Sequence, residues 1–269
     1  MAASGGRAVD AAVHLWAPMD GKPPGDAQTL LQRMDAAGVA HAVVVQPGVI
    51  ADPFDHSYVA DAVAAHPDRL TGVLLADPRP GGGGARALRE LVSERGFRGV
   101  RFNPGLDPAG DMTGAVWKEM YAAAGELSAP VGHMTFNSLP QHAGAIRALA
   151  EEFPQTVAIV DHMGFCRSDD EWDVLLSFAD LPQVRVKLSA FFRCGAGSAP
   201  GGLAERIRQL VDAFGTERLL WGSDWPWVDA EDGGYEGACD MLRAHGGLSE
   251  SEVEQIMSAT PRDLYNLGA

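Results

Sequence analysis

Short apolar runs alternate with helical patterns eight times along this chain of 269 residues. This alternation is typical of parallel β/α units, because each helix returns the chain to the same edge of the sheet before the next strand begins. Eight units predict a closed (β/α)8 TIM barrel of the α/β class. The predicted strands are Val9–Trp16, Ala42–Gln46, Thr71–Ala76, Gly99–Asn103, Pro130–Thr135, Val157–His162, Val184–Ser189 and Arg218–Asp224.

The segments between most of these runs have one apolar face at helical spacing. Asp26 is in position to cap the first helix, and a helix over Tyr58–Ala65 stops at a His-Pro pair. Two helices, Tyr235–Ala244 and Glu250–Met257, follow the last strand. We expect a flexible loop, and not a phosphate-binding loop, at Gly81–Gly84 after the third strand.

One domain covering residues 1–269 accounts for the whole length, because barrels of this size are routinely single domains. The formal charge of −15 comes without a Lys/Arg cluster, which argues against binding to nucleic acid or to anionic membrane surfaces. No apolar run approaches a membrane span of ~18 residues, and Met1–Ala8 does not resemble a secretory signal, so we expect a cytoplasmic protein. Three widely spaced cysteines predict reduced thiols. The sequence is compatible with a homo-oligomer but does not decide it.

Polar residues gather at the predicted carboxyl ends of the strands. Side chains alternate along a strand, so His14 shares a face with Ala12 and Trp16. The other polar residues of this kind are Arg101, Asn103, His133, His162, Ser189 and Asp224. In a barrel these ends meet at one mouth, where active sites lie. Any one of these histidines could be an ordinary core residue, but the set indicates a functional site.

Five segments resemble one known family. They are VDAAVHLW at 9–16, FRGVRFN at 97–103, VDHMG at 160–164, VKLS at 186–189 and WGSDWP at 221–226. Their order and spacing are similar to those of the amidohydrolase superfamily, in its amidohydrolase-2 branch. That branch includes 2-pyrone-4,6-dicarboxylate lactonases, sugar lactonases acting on fuconolactone and rhamnonolactone, and the aminocarboxymuconate-semialdehyde decarboxylase group. The resemblance covers nearly the whole chain and implies a metal-dependent hydrolase fold.

One departure from the family pattern affects the expected metal site. The first-strand motif of the family reads Asp-x-His-x-His, and its first histidine falls here on Ala12, whose methyl group cannot bind a metal. His14, His133 and Asp224 are the candidate ligands for one Zn²⁺ or Mn²⁺, with His162 as a possible fourth group. The resemblance also implies that several lactonases of the branch need no metal. A site with no cofactor and a site with one divalent metal therefore both stay open.

The resemblance favours hydrolysis of a lactone or related cyclic ester. Asp224 is the candidate general base, and His162 with His14 would polarise the carbonyl group. Arg101 is expected to bind a substrate carboxylate, so the substrate is predicted to be a small anionic molecule. The further candidate substrate contacts are Trp16, His56, His133, Arg167, Ser189, Arg193 and Trp225. Trp16, Trp225 and Trp227 would form the wall of the pocket and exclude water.

Two other functions remain as alternatives. A metal-dependent decarboxylase of the aminocarboxymuconate-semialdehyde type would use the same mouth but would need the cation. A non-catalytic barrel that binds a small molecule is suggested by Ala12. The metal content of the purified protein distinguishes the decarboxylase from a metal-free hydrolase. Restoring histidine at position 12 tests the non-catalytic binding barrel, because a large gain in turnover would mark the alanine as a disabled catalytic position.

Overall fold

Eight parallel strands, hydrogen-bonded in chain order, form the centre of the molecule. The structure is a computed structural model, and it describes residues 8–107, 109–136, 138–194 and 200–268. The strands are β1 Ala8–Val13, β2 Val39–Val45, β3 Leu70–Leu75, β4 Phe97–Phe102, β5 Val131–His133, β6 Ala158–Val160, β7 Val184–Leu188 and β8 Leu219–Trp221. The predicted (β/α)8 barrel is confirmed.

The barrel closes between the end of β1 and the segment that follows β8. The backbone N–H of Asp224 donates to the carbonyl of Ala12 at 2.9 Å, and that of His14 donates to Trp225 at 2.8 Å. Val13 and Trp225 form the corresponding parallel bridge. These contacts place the side chains of His14 and Asp224 next to each other, although 210 positions separate them (224 − 14).

A buried carboxylate reinforces this closure. Asp10 is fully buried and accepts hydrogen bonds from the Ser223 backbone N–H at 2.9 Å and the Ser223 hydroxyl at 2.6 Å. Burial raises the pKa of Asp10 to about 6, although the hydrogen bonds from Ser223 act in the opposite direction. Asp10 is therefore a structural acid that ties β1 to the segment after β8.

Helices cover the outside of the barrel. They are α1 Ala27–Ala37, α2 Ser57–Ala65, α3 Gly84–Glu94, α4 Ala115–Glu126, α5 Leu139–Glu152, α6 Asp169–Leu176, α7 Pro200–Phe214, α8 Gly234–His245, α9 Glu250–Glu254 and α10 Thr260–Leu264, with a π-helical turn at Gln255–Ala259. Asp26 caps α1 as predicted, since its carboxylate accepts from the Thr29 N–H at 2.9 Å. No helix in the described ranges has the length and apolar character to cross a membrane.

Apolar side chains pack in two layers, one inside the ring of strands and one outside it. The inner layer fills the barrel and consists of Val9, Ala11, Val43, Val45, Val73, Ile159, Leu220 and Tyr265. The outer layer lies between strands and helices and contains, for example, Phe102 of β4 and Trp117 of α4. Neighbouring residues on one strand thus face different surroundings, so the register of each strand decides which side chains can enter a site at the mouth.

Two sequence expectations need correction. The predicted glycine loop is one residue shorter than expected, because α3 begins at Gly84 and buries Leu88. Several strands are also shorter than predicted: β6 ends at Val160 and β8 at Trp221. His162 and Asp224 consequently lie in the loops after their strands rather than on them.

Candidate active site

Asp224 and two histidines meet at the carboxyl end of the barrel. His14 Nε2 lies 3.3 Å from Asp224 Oδ1, and His162 Nε2 lies 3.9 Å from the same oxygen. All three side chains are at least nine-tenths buried. The structure therefore brings together the three residues predicted to be catalytic.

Fixed hydrogen bonds orient both imidazole rings. His14 Nδ1 lies 2.8 Å from the Val45 carbonyl, and because a carbonyl only accepts, Nδ1 donates and Nε2 faces Asp224. His162 Nδ1 lies 2.8 Å from the Ser189 hydroxyl, so its Nε2 also faces Asp224. Ser189 thus supports His162, and it is not among the residues that line the cavity described below.

The charges of this cluster are set by burial and by mutual attraction. Burial alone would raise the pKa of Asp224, but the attraction of His162, a hydrogen bond from His14 and the charge of Arg193 outweigh burial and hold the pKa below its usual value. Burial lowers the pKa of His162 to about 4, against the effect of Asp224. At neutral pH the site consequently contains a carboxylate and a neutral His162 imidazole.

The loops that carry these groups adopt unusual backbone conformations. Asp224 has φ 63°, and His162, Met163 and Phe165 have φ values of 52°, 50° and 55°. Non-glycine residues with positive φ are uncommon and concentrate at functional sites, because surrounding structure must hold them there. The backbone therefore turns sharply after β6 and β8 and presents His162 and Asp224 at the mouth.

A buried ion network lies beside the cluster. Arg101 Nε donates to Asp161 Oδ2 at 2.9 Å, and Lys187 Nζ lies 2.8 Å from Asp161 Oδ1. Burial opposes ionisation of Asp161, but Arg101 and Lys187 outweigh it and depress the pKa of Asp161 strongly. Arg101 lines the cavity, and its buried Nη2 has no hydrogen-bond partner. Two cations around one carboxylate leave this region with an excess positive charge.

Arg193 supplies a second cation at the mouth. Its Nε lies 3.5 Å from Asp224 Oδ2, and its guanidinium lies over the rings of Phe192 and Trp227. The side chain of Arg193 is 31% exposed. A partly exposed guanidinium beside the carboxylate is well placed to meet an anionic group entering from solvent.

These groups open into a cavity of about 600 Å³. Its polar lining includes His14, Arg101, His162, Arg193 and Asp224. The volume lies within the range of about 300–1,000 Å³ that is usual for small-molecule sites. The cavity is therefore large enough for a small substrate together with a water molecule.

Two predicted tryptophans support the cavity from behind instead of lining it. Trp16 is 2% exposed, donates from Nε1 to the Pro23 carbonyl at 3.0 Å and packs against Trp227 with ring centroids 5.4 Å apart. Trp225 is fully buried and donates from Nε1 to Asp229 at 2.9 Å. Trp227 is the tryptophan that lines the cavity.

Two further predicted contacts lie outside the cavity. His56 accepts a hydrogen bond at Nε2 from the Leu75 N–H at 3.0 Å and belongs to a separate cavity of about 330 Å³ beside α2 and α3. Arg167 is exposed, and its Nε donates to the Arg193 carbonyl at 3.4 Å. Arg167 therefore contacts the backbone of the residue that does line the cavity.

The prediction that His133 faces the mouth is wrong. His133 is the register partner of Phe102, and its ring lies among the rings of Phe102 and Tyr121 in the outer layer. The residue that faces inward on β5 is Gly132, where a Cβ would lie 3.1 Å from Asp161 Oδ2. Both ring nitrogens of His133 are buried without a hydrogen-bond partner.

The side chains present do not fit the divalent metal that the family implies. Ala12 offers no donor atom, and the predicted set His14, His133 and Asp224 cannot form because His133 faces the outer layer. Across the described ranges, no group of three or more His, Cys, Asp or Glu side chains is arranged to hold a metal ion. Arg193 already provides a cation beside Asp224.

Some residues of the cavity wall were not predicted as site residues. They come largely from loops and helix starts: Val49, Leu106, Met134, Phe136, His142 and Phe165. The apolar residues among them carry no pattern that separates a site wall from packing. Asn103 and Trp227, which were predicted at the mouth, do line the cavity.

The described cysteines are structural thiols. Cys194 Sγ donates to the His162 carbonyl at 3.3 Å, and Cys166 Sγ donates to the Glu171 carbonyl at 3.3 Å. Burial raises the pKa of each thiol to about 12, so neither is a nucleophile at neutral pH.

A (β/α)8 barrel with an ionised aspartate between two histidines at its mouth defines a barrel enzyme equipped for acid–base chemistry. Comparison with known proteins gives the family. The model described as "Amidohydrolase" matches residues 9–267, so the chain belongs to the amidohydrolase family and is an enzyme of that family.

Two curated relatives resemble about three quarters of the chain, and one solved structure resembles nearly all of it. An L-fucono-1,5-lactonase from Burkholderia ambifaria is 30% identical over 76% of this chain and 69% of its own length. A 4-sulfomuconolactone hydrolase from Rhizobium radiobacter is 27% identical over 76% of this chain and 67% of its own. The structure of a putative 2-pyrone-4,6-dicarboxylic acid hydrolase from Pseudomonas putida has a TM-score of 0.79 at 26% identity, covering 98% of each chain.

Metal-containing structures share the fold at lower identity. A Burkholderia multivorans amidohydrolase with bound zinc has a TM-score of 0.76 at 20% identity, covering 97% of this chain and 99% of that one. A dihydroxybenzoic acid decarboxylase from Polaromonas with bound manganese has a TM-score of 0.70 at 16% identity, covering 97% of each chain. These likenesses show the shared barrel alone.

Proposed function

We propose that this enzyme hydrolyses a lactone ring in a small substrate that carries a carboxylate. The observation that carries the proposal is the convergence of His14 Nε2 and His162 Nε2 on one oxygen of Asp224 inside a large cavity. The names of two curated relatives, a lactonase and a lactone hydrolase, support the same reaction type.

Asp224 acts as the general base in this proposal. It removes a proton from a water molecule while the water oxygen attacks the lactone carbonyl carbon, and its low pKa keeps it ionised for this step. The ring C–O bond then breaks, and the same proton passes to the leaving oxygen. The product is an open-chain hydroxy acid.

The two histidines stabilise the negative charge that develops on the carbonyl oxygen. When the Ser189 hydroxyl donates to Nδ1 of neutral His162, the hydrogen of that ring is on Nε2 and points into the site. His14, whose Nδ1 is held by the Val45 carbonyl, directs its Nε2 toward the same part of the site. One donor of this kind contributes about 10²–10³-fold in kcat in well-studied hydrolases.

The arginines bind the substrate carboxylate. Arg101 uses Nε for Asp161, so its Nη2 is the atom available to a ligand, and Arg193 provides the more exposed cation. A decarboxylase is disfavoured, because that reaction needs a cation to polarise the substrate and the donor set does not fit one. A purely binding role does not explain why two histidine side chains converge on Asp224.

The test is Asp224→Asn, assayed by proton release with 2-pyrone-4,6-dicarboxylate, L-fucono-1,5-lactone and 4-sulfomuconolactone. We expect kcat to fall by about 10²–10⁴-fold on any lactone that the wild type hydrolyses, because the amide cannot accept the proton. Asp232→Asn, on the exposed part of the same loop, is the matched control. Full activity in Asp224→Asn, or release of CO2 from a dihydroxybenzoate without any lactone hydrolysis, contradicts the proposal.

A further inference from the structure

The part of the chain that the structure describes exposes few large apolar side chains. Within the described ranges they are Met19, Val49 and Phe136, which are 37%, 49% and 45% exposed. Two of the three, Val49 and Phe136, line the cavity that contains Asp224. Exposed apolar surface at a concave site, rimmed by polar residues, marks a place where an apolar group binds.

The aromatic part of this wall is continuous with the reacting groups. The ring of Phe165 lies 4.8 Å from the ring of His162, and the ring of Phe136 lies 5.1 Å from Phe165 at an interplanar angle of 85°. Phe165 is 4% exposed and Phe136 is 45% exposed, so the aromatic surface runs from the buried histidine to solvent. We call Val49, Leu106, Met134, Phe136 and Phe165 the apolar wall.

The apolar wall cannot form hydrogen bonds with the hydroxyl groups of a substrate. Its five side chains contain no N–H or O–H donor and no oxygen acceptor. A sugar hydroxyl placed against them would lose its bonds to water without replacement, which is unfavourable. The polar atoms of the cavity are instead supplied by the residues around Asp224, together with Asn103, Gln141 and His142.

We propose that the lactone substrate carries an apolar arm, alkyl or aryl, that lies along Phe165 and Phe136 while the ring sits at Asp224. This inference rests on the proposed lactone hydrolysis and adds the substrate class. The arm extends from Phe165 toward the exposed side chains of the wall, Phe136 and Val49. Each methylene group buried against the apolar wall increases affinity about fourfold, so two or three such groups are enough to determine which substrate is preferred.

The experiment compares three lactones with the same six-membered ring: δ-valerolactone without an arm, δ-undecalactone with a hexyl arm, and D-glucono-1,5-lactone with hydroxyl groups. We expect kcat/KM of the wild type to be at least about tenfold higher for δ-undecalactone than for either of the others. Phe136→Ser and Val49→Ser should each reduce the ratio of δ-undecalactone to δ-valerolactone by about three- to tenfold. Met19→Ser removes an exposed apolar side chain outside the apolar wall and should leave the ratio unchanged.

The outcomes separate this inference from the proposed function. Three results overturn the apolar arm and leave lactone hydrolysis standing. They are equal or faster hydrolysis of D-glucono-1,5-lactone, a ratio that does not respond to Phe136→Ser and Val49→Ser, and hydrolysis of a carboxylated lactone but not of δ-undecalactone. If the wild type opens none of these three lactones and none of the carboxylated or relative-derived lactones above, the proposed function fails and the substrate class falls with it.

Discussion

Ala12 and Gly222 meet where β1 and β8 close the barrel. A Cβ on Gly222 would lie 2.7 Å from Ala12 Cβ and 2.8 Å from the Ala12 nitrogen, and Ala12 is fully buried. Ala12 and Gly222 are therefore packed closely together, and both positions require a small residue. The sequence identified Ala12 as a departure from the family pattern, but only the structure shows how little space surrounds it.

We expect Ala12→His to lower stability without increasing turnover. Overpacking a buried position costs about 1–3 kcal/mol, which corresponds to a decrease in Tm of roughly 2–12 °C for a protein of this size. Thermal unfolding and lactone hydrolysis, each with and without added ZnCl2, provide the measurement. A large zinc-dependent gain in kcat would show instead that Ala12 disables a metal site.

At the scale of strands, the sequence shows how strands and helices alternate, but it does not determine the register in which neighbouring strands pair. It placed His14, His162 and Asp224 at the mouth correctly, because their segments end at the mouth whatever the pairing. It placed His133 wrongly, because only the pairing of β5 with β4 sets His133 opposite the outward-facing Phe102. The short strand β5 holds three residues, Val131–His133, so no long alternating pattern was available to fix its inner face.

His133 gives an element-scale prediction about acid stability. Burial lowers the pKa of His133 from 6.5 to about 4, so the unfolded chain binds a proton between these values and the folded chain does not. Stability is therefore lost as pH falls from about 6.5 to 4, by about 3 kcal/mol from this residue. We expect His133→Leu to remove that part of the pH dependence while kcat is kept.

Urea unfolding at several pH values between 4 and 7 measures this effect. The control is His245→Leu, at an exposed position of α8, which should leave the slope as in the wild type. Loss of lactone hydrolysis in His133→Leu would mean that His133 acts in the site after all.

For the whole molecule, the eightfold alternation was sufficient to predict a barrel, because few folds accommodate so many consecutive parallel β/α units. The wall of the site was not predictable in the same way. Phe136 and Phe165 follow strands in loops, and loop sequence carries no periodicity that assigns a direction to a side chain. The arginines were easier to predict than the apolar wall. Two of those predicted at the mouth, Arg101 and Arg193, line the cavity.

Metal dependence is a property of the assembled mouth and can be measured directly. We expect purified enzyme to hold well under one Zn or Mn per chain and to keep its activity after dialysis against EDTA, because the donor set does not fit a divalent ion. Elemental analysis and the lactone assay before and after chelation test this expectation. Stoichiometric metal, with activity lost on chelation and restored by the same ion, would show that the site recruits a metal after all.

The contact between β1 and β8 also determines when the enzyme can first work during its synthesis. His14 belongs to the first β/α unit made, and Asp224 to the last, so a nascent chain that still lacks its eighth strand cannot form the contact between these two side chains. Under the proposed mechanism we therefore expect no hydrolysis by chains that are still on the ribosome. Local opening of the same junction in the mature protein would separate the acid from the histidine, and under the same mechanism it would stop turnover without unfolding the rest of the barrel.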